Sequence, residues 1–135
     1  MSQERQILAA NEVFYRAFAR GDASALEAMF ATETQVGTAH PWRPVTTGRE
    51  GVLAGWLAIL EAGAPPIRCL DPVVTLLPGG LAALVTCVED TGGAPCVATN
   101  AFVQEDGEWR LCHHHGAPLA PMFGPGREES GGKVH

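Results

Sequence analysis

The spacing of apolar residues changes at Pro66, and this change constrains the fold more than any other feature. Before Pro66, apolar residues recur every three or four positions, the period of an amphipathic helix, in segments 4–20, 22–30 and 48–62. After it, they alternate in four runs separated by Pro and Gly: "IRCLDPVVTLL", "LAALVTCVED", "PCVATNAFVQ" and "EWRLCHHHG". A short further strand is expected near residues 35–38. Helices followed by hairpin-linked strands predict an α+β fold, in which three N-terminal helices pack on a curved antiparallel sheet.

Length and composition indicate a single domain. The chain has 135 residues, enough for one core, and we expect one domain over residues 1–120. Residues 121–135 are rich in Gly and Pro, and we expect this tail to be partly disordered. The net charge of −6 argues against nucleic acid as a partner, because phosphate binding needs clustered Lys and Arg. No segment has the pattern of a signal peptide or a membrane span, so we expect no membrane partner and a cytoplasmic location.

The Asp-Gly dipeptide at positions 106–107 predicts a tight hairpin, and a two-residue turn there determines the register of the last two strands. In that register Asn100 lies opposite His113, and His115 lies two residues further along the same face. This face also carries the large apolar side chains, so we expect it to pack on the helices. A shift of one residue would bring His114 to this face and turn the other two histidines outward.

Four segments resemble, in order and spacing, SnoaL-like members of the nuclear transport factor 2 (NTF2-like) superfamily: "FYRAFARGDASALEAMFATETQV", "HPW", "TGREGVLAGW" and "DGEWRLCHHH". The resemblance implies a cone, in which a bent antiparallel sheet wraps on helices around a pocket, and often a homodimer formed through the sheet. The related ketosteroid isomerase-like proteins carry a tyrosine and an aspartate base where this chain has Phe14 and Thr38. The resemblance therefore implies the fold but not one activity, because this scaffold supports many.

The pocket implied by this cone defines the candidate site. His113 is the candidate general base and Asn100 the residue that orients it, because histidine accepts and returns protons near neutral pH. Six other residues are expected to line the pocket, from the loop "AHPW", the inward helix faces and the last strands: His40, Trp42, Tyr15, Trp56, Phe102 and His115. For Tyr15 and Trp56, ordinary packing in the core is the competing interpretation.

Three adjacent histidines also raise the question of a metal site. On a strand only His113 and His115 face the same way, so a third ligand would have to come from His40. No carboxylate lies in the same motifs, and we expect no metal and no other cofactor. Asp71 and Glu89 lie next to a proline and a turn, where we expect solvated side chains.

Two functions stay open at this point. The first is a small-molecule-binding protein whose apolar pocket takes a small apolar or carbonyl-containing ligand. Such a protein would act as a cofactor-independent isomerase, cyclase or hydrolase through a pocket histidine. The alternative is a non-catalytic dimerisation or interaction domain with an incidental cavity, and a homodimer through the sheet fits either function.

Overall fold

The computed structural model describes residues 2–63 and 66–119. Its helices are α1 (Gln3–Ala19), α2 (Ala23–Met29) and α3 (Arg49–Glu61). Its strands are β1 (Gly37–Ala39), β2 (Thr46–Thr47), β3 (Arg68–Leu76), β4 (Ala82–Asp90), β5 (Cys96–Glu105) and β6 (Glu108–Pro118). The predicted succession of helices and strands is confirmed except for β2, which lies where no strand was predicted, whereas the predicted tail at 121–135 lies outside the described residues.

Helix α2 begins after a side-chain cap, and helix α3 begins after a glycine. Asp22 accepts a hydrogen bond from the backbone N–H of Ala25 at 3.0 Å, which satisfies one of the free donors at the start of α2. Helix α3 instead follows Gly48, whose φ of 98° is accessible to glycine at little cost. Within the described residues, no helix combines the length and apolar character needed to cross a membrane.

The six strands form one sheet in the order β2-β1-β6-β5-β4-β3. The four long strands make the predicted antiparallel meander, with short turns between neighbours. The expectation of a wholly antiparallel sheet is wrong in one place, because β1 pairs with β6 in parallel, with Gly37 beside His113. The sheet is therefore mixed, and β1 carries the loop after it to one end of β6.

A bulge in β6 changes the register that the hairpin turn predicts. The turn is as expected, since Asp106 and Gly107 have φ values of 52° and 77°, the left-handed conformation of a type I′ turn. Pairing then proceeds as predicted as far as Leu111, opposite Phe102. Beyond it the register shifts, which leaves Cys112 without a partner in the β5–β6 ladder. Every residue of β6 after Cys112 consequently faces the other way from the prediction.

The two faces of the sheet have different surroundings. The inner face packs on α1 and α3 and contributes the core side chains of β4 to β6: Ala83, Val85, Cys87, Ala98, Phe102, Trp109 and Leu111. Asn100 lies on this face, completely buried, and so does His114. The outer face has no helix against it among the described residues and includes Leu84, Thr86, Val97, Thr99, His113 and His115.

Candidate functional site

A cavity of about 480 Å³ lies between the inner face of the sheet, the helices α1 and α3, and the loop that follows β1. Its volume falls in the ordinary range for small-molecule sites. Aromatic rings form much of its wall, and Trp56 packs edge-to-face on both Phe14 and Phe18. Glu89, Tyr15 and His114 supply polar atoms to the same cavity. The cavity is thus an apolar chamber with polar groups concentrated at one part of its lining.

These polar groups belong to a connected hydrogen-bond network. The Tyr15 hydroxyl donates to Glu89 Oε2 at 2.6 Å and accepts from Asn100 Nδ2 at 3.0 Å. Asn100 Oδ1 lies 2.6 Å from His114 Nδ1. His114 Nε2 lies 3.8 Å from Glu89 Oε2, which is too long for a hydrogen bond, so the two ends of the network approach each other without closing. Residues from α1, β4, β5 and β6 are therefore held together in a water-poor interior.

The network determines which nitrogen of His114 carries the proton. The Tyr15 hydroxyl has one hydrogen and donates it to Glu89, so it can only accept from Asn100. The Asn100 atom that faces Tyr15 is therefore the amide nitrogen, which is the donor of that side chain. Asn100 Nδ2 also donates to Asn11 Oδ1 at 2.9 Å, so the Asn100 oxygen is the atom that faces His114. His114 Nδ1 is then the protonated nitrogen, and Nε2 presents its lone pair toward Glu89.

Burial controls the charge states of these groups. Burial, followed by the charges of nearby histidines, lowers the pKa of His114 to about 3, so its ring is neutral at neutral pH. Burial raises the pKa of Glu89, while the hydrogen bond from Tyr15 acts in the opposite direction. Glu89 is only 5% exposed and His114 only 3%. The contact between them is accordingly one between a carboxyl group and a neutral imidazole, and not an ion pair.

Two cysteine thiols extend the network behind Tyr15. Cys87 Sγ lies 3.3 Å from the Tyr15 hydroxyl, and Asn11 Nδ2 donates to Cys69 Sγ at 3.4 Å. Burial, with the Glu89 charge second, raises the pKa of Tyr15 above its ordinary value. Tyr15 therefore stays protonated and acts as a hydrogen-bond donor.

The structure brings together four of the predicted pocket residues and separates the others. His40, Trp42, Tyr15 and Trp56 all line the cavity. Phe102 is completely buried in the core and does not contribute to the cavity lining.

His113 and His115 lie on the outer face, because the bulge at Cys112 reverses the predicted alternation. The expected pairing of Asn100 with His113 is wrong, and His114 takes that place.

The expectation that Glu89 is solvated is also wrong. Strand β4 continues through Asp90, so Glu89 still alternates with the inward residues Val85 and Cys87 and points into the core side of the sheet. The alternation of inward and outward residues in "LAALVTCVED" was the sequence signal that could have placed Glu89 on the inner face. Strand β4 thus supplies a carboxyl group to the cavity lining.

The three histidines considered for a metal do not converge. His113 and His115 are on the outer face with ring centroids 6.4 Å apart, while His40 packs inside against Trp56 and His114. Within residues 2–63 and 66–119, no group of three or more His, Cys, Asp or Glu side chains is arranged to hold a metal ion.

The chain matches the SnoaL-like domain family over residues 7–121. No curated protein matches it. Among solved structures, a proposed dehydratase of the NTF2-like family from Streptomyces avermitilis is 33% identical, with a TM-score of 0.76. That match covers 86% of this chain and 95% of the Streptomyces chain.

Two further structures share the fold. A proposed calcium/calmodulin-dependent protein kinase type II association domain from Thiobacillus denitrificans is 26% identical, covering 83% of this chain and 94% of its own, with a TM-score of 0.67. A protein with a cystatin-like fold from Caulobacter vibrioides is 18% identical, covering 87% and 90%, with a TM-score of 0.74. These likenesses confirm the predicted α+β cone. Since the family match and the Streptomyces relative both span most of the sequence, the chain belongs to the SnoaL-like family of the NTF2-like superfamily.

Proposed function

We propose that this protein is a cofactor-independent acid/base enzyme that removes water from a small, mostly apolar hydroxy-carbonyl compound. The observation that carries the proposal is the buried Glu89 carboxyl, which accepts a hydrogen bond from the Tyr15 hydroxyl and lies 3.8 Å from His114 Nε2 in the lining of an aromatic cavity. Glu89 replaces His113, which faces outward, as the proton-transfer group.

Glu89 is better suited to proton transfer than His114. A general acid or base works best when its pKa lies near the working pH. Burial moves the pKa of Glu89 upward, toward neutrality, whereas it moves the pKa of His114 down to about 3. A buried carboxyl of this kind is a typical feature of functional sites. His114 therefore acts as a hydrogen-bonding group and not as the base.

The other network residues hold the reacting groups in place. Tyr15 donates to one oxygen of Glu89 and so orients the carboxyl. Asn100 keeps the proton of His114 on Nδ1, which leaves Nε2 as an acceptor. An acceptor at this position recognises a substrate hydroxyl, which is a donor. The site thus combines a proton-transfer group for a C–H bond with an acceptor for an O–H bond.

The proposed step conserves all atoms of the substrate. The Glu89 carboxylate takes a proton from the carbon next to the carbonyl. The C–O bond to the hydroxyl breaks as the carbon–carbon double bond forms, and Glu89 returns the proton to the leaving hydroxyl. The products are an unsaturated carbonyl compound and water. The 33% identity to a proposed dehydratase supports this reaction over a double-bond shift, which would use the same first proton transfer.

The test combines binding with product mass. Ring compounds that carry a β-hydroxy carbonyl group are screened by the shift in melting temperature, and those that bind are incubated with the protein. We expect mass spectrometry to show loss of water, and Glu89→Gln to lower the rate about 100-fold or more while binding persists. Glu108→Gln, at the exposed hairpin, is the matched control. Equal turnover by wild type and Glu89→Gln would refute the proposal, and a product of unchanged mass would indicate isomerisation.

The outer face supports a second proposal, that two copies associate through the sheet. Val73 is 59% exposed and Val97 41% exposed on the face that also carries Leu84. Burying apolar side chains of this kind is the usual driving force for association. We expect a dimer by sedimentation velocity and a monomer for Val97→Glu. If the dimer forms but no ligand of the screen binds, the interaction-domain alternative is favoured.

A further inference from the structure

The loop that follows β1 places an unusual tryptophan at the rim of the cavity. Trp42 lines the cavity, yet its side chain is 89% exposed. Its backbone has a φ of 65°, a left-handed conformation that is strained for a large residue other than glycine. Folding alone gives no reason for this arrangement, since the ring buries little surface and its backbone is unfavourable. Strain of this kind clusters at sites that hold ligands.

The next residue adds a positive charge to the same rim. Arg43 is the only Arg or Lys among the described residues that line the cavity. Arg16 and Arg68 pair with carboxylates, and Arg49 donates to three backbone carbonyls. The guanidinium of Arg43, in contrast, makes no hydrogen bond or ion pair within residues 2–63 and 66–119. Its five donors are therefore available to a ligand.

The interior of the cavity limits where a negative charge on the ligand can lie. Glu89 occupies the inner part, where a second carboxylate would be repelled and desolvated. The chain as a whole has a net charge of −6, so an approaching anion is attracted mainly at local cations such as Arg43. An anionic group of the ligand is consequently accommodated at the rim and excluded from the inner end.

The size and lining of the cavity define the rest of the ligand. A cavity of 150 Å³ is known to hold one benzene ring, so about 480 Å³ corresponds to roughly three such rings. The walls offered by Phe14, Phe18 and Trp56 suit flat ring systems. An exposed indole at the rim provides a further surface on which a ring can stack.

We propose that Trp42 and Arg43 form a clasp that selects a carboxylate-bearing ring compound, with its carboxylate on Arg43 and its ring body against Trp42 and the aromatic wall. This specificity rests on the proposed function, because the reacting carbon of such a compound then lies at the Glu89 end. Arginine binds a carboxylate through two parallel hydrogen bonds, which also fixes the direction of the ligand.

Calorimetry with naphthoate and naphthamide tests the charge, because these probes differ in the carboxylate alone. We expect wild type to bind naphthoate about fivefold more tightly than naphthamide, as for a partly exposed ion pair. Arg43→Gln should remove this preference and leave naphthamide binding unchanged. Arg5→Gln, at the exposed start of α1, is the matched control and should behave as wild type. Equal affinities for both probes in wild type would overturn the clasp.

Trp42→Gly tests the ring and the strain together. Glycine adopts a φ of 65° at little cost, so we expect the melting temperature to rise by about 3 °C. Both probes should nevertheless bind about fivefold more weakly, since a stacking surface is lost. Trp42→Phe, which keeps a ring, should restore most of the affinity. Unchanged affinity of Trp42→Gly for both probes would refute the role of the indole.

The probes separate this inference from the proposed function. If naphthamide binds and naphthoate has no advantage, the cavity is a ligand site and only the carboxylate selectivity fails. If neither probe binds, the clasp is refuted, and the screen of β-hydroxy carbonyl compounds decides the small-molecule function separately. If the clasp is confirmed but Glu89→Gln turns over substrate normally, the ligand specificity stands and the proposed chemistry fails.

Discussion

The neutral, buried His114 predicts that acid destabilises this protein by a specific amount. The folded state holds the pKa of His114 at about 3, below its ordinary value of 6.5. As pH falls below 6.5, the unfolded chain therefore binds a proton on this ring that the folded chain does not bind. Stability from His114 is complete above pH 6.5 and decreases as the pH falls toward 3. His114→Asn, which retains a donor near the Nδ1 position, removes this titration.

The size of the expected loss in stability follows from the difference between the pKa values of His114 in the folded and unfolded states. About pH 5 lies roughly 1.5 units below the ordinary pKa of the His114 ring, so the ring is protonated in the unfolded chain and still neutral in the folded one. At 1.36 kcal/mol per unit, wild type should lose about 2 kcal/mol through His114 between about pH 8 and pH 5. Glu89 acts in the opposite direction, since its raised pKa makes protonation favour the folded state. His40 and His113, whose pKa values burial lowers, act in the same direction as His114.

Comparing variants isolates His114 from these other groups. Urea unfolding gives the free energy of unfolding of wild type and His114→Asn at both pH values. His114→Asn should be the less stable protein at about pH 8, and its deficit should shrink by about 2 kcal/mol at about pH 5. Thr75→Asn, at an exposed position of β3 that carries no titratable group, is the control and should show a constant difference. A deficit of His114→Asn that stays the same at both pH values would refute the assignment of a neutral, buried ring.

Two further predictions concern carboxyl groups. Tyr15→Phe removes the hydrogen bond that opposes the rise in the pKa of Glu89, so the pKa should rise further. Since Glu89 must be ionised to accept a proton, the acid limb of the pH–rate profile should move to higher pH. An unchanged profile would contradict the role of Tyr15. Glu105 accepts backbone hydrogen bonds from three consecutive residues of the loop after α2, and although desolvation opposes them, these bonds lower its pKa to about 2. Glu105→Gln should therefore lower the urea midpoint at neutral pH, and the difference from wild type should close as pH falls from 4.5 to about 2. A difference that does not depend on pH would show that the carboxylate charge is not what holds the loop.

The fold was largely predictable because its signals are local. Helical periods, the Asp22 cap and the Asp106-Gly107 turn each act within a few residues, and all are found in the structure. The parallel pairing of β1 with β6 was not predictable in the same way. It joins Gly37 to His113 across most of the chain, and no local pattern in a three-residue strand specifies its partner.

The candidate site was predictable in part. Asn100 and Trp56 lie on the inward faces that the alternation of β5 and the helical period of α3 predict, and His40 lines the cavity from the loop after β1. The inward histidine was predicted wrongly because Cys112 adds one residue to the strand as a bulge. No turn residue or proline in the sequence indicates this bulge. Glu89 was misplaced because a carboxyl group near a turn is ordinarily solvated, and only the network around it makes its burial tolerable.

The three residues of β1 can join the sheet only after β6 exists, because β6 is the strand with which they pair in parallel. During synthesis the hairpins of β3, β4 and β5 can close first, since their contacts are local and close quickly. The aromatic side chains on α1 stay exposed until β6 has been synthesised. Self-association or chaperone capture competes with folding at this stage. Tyr15 and His114 meet only when that last strand docks, so a chain that stops before β6 has a sheet but no site. Ligand binding by a nascent chain would therefore report the completion of folding.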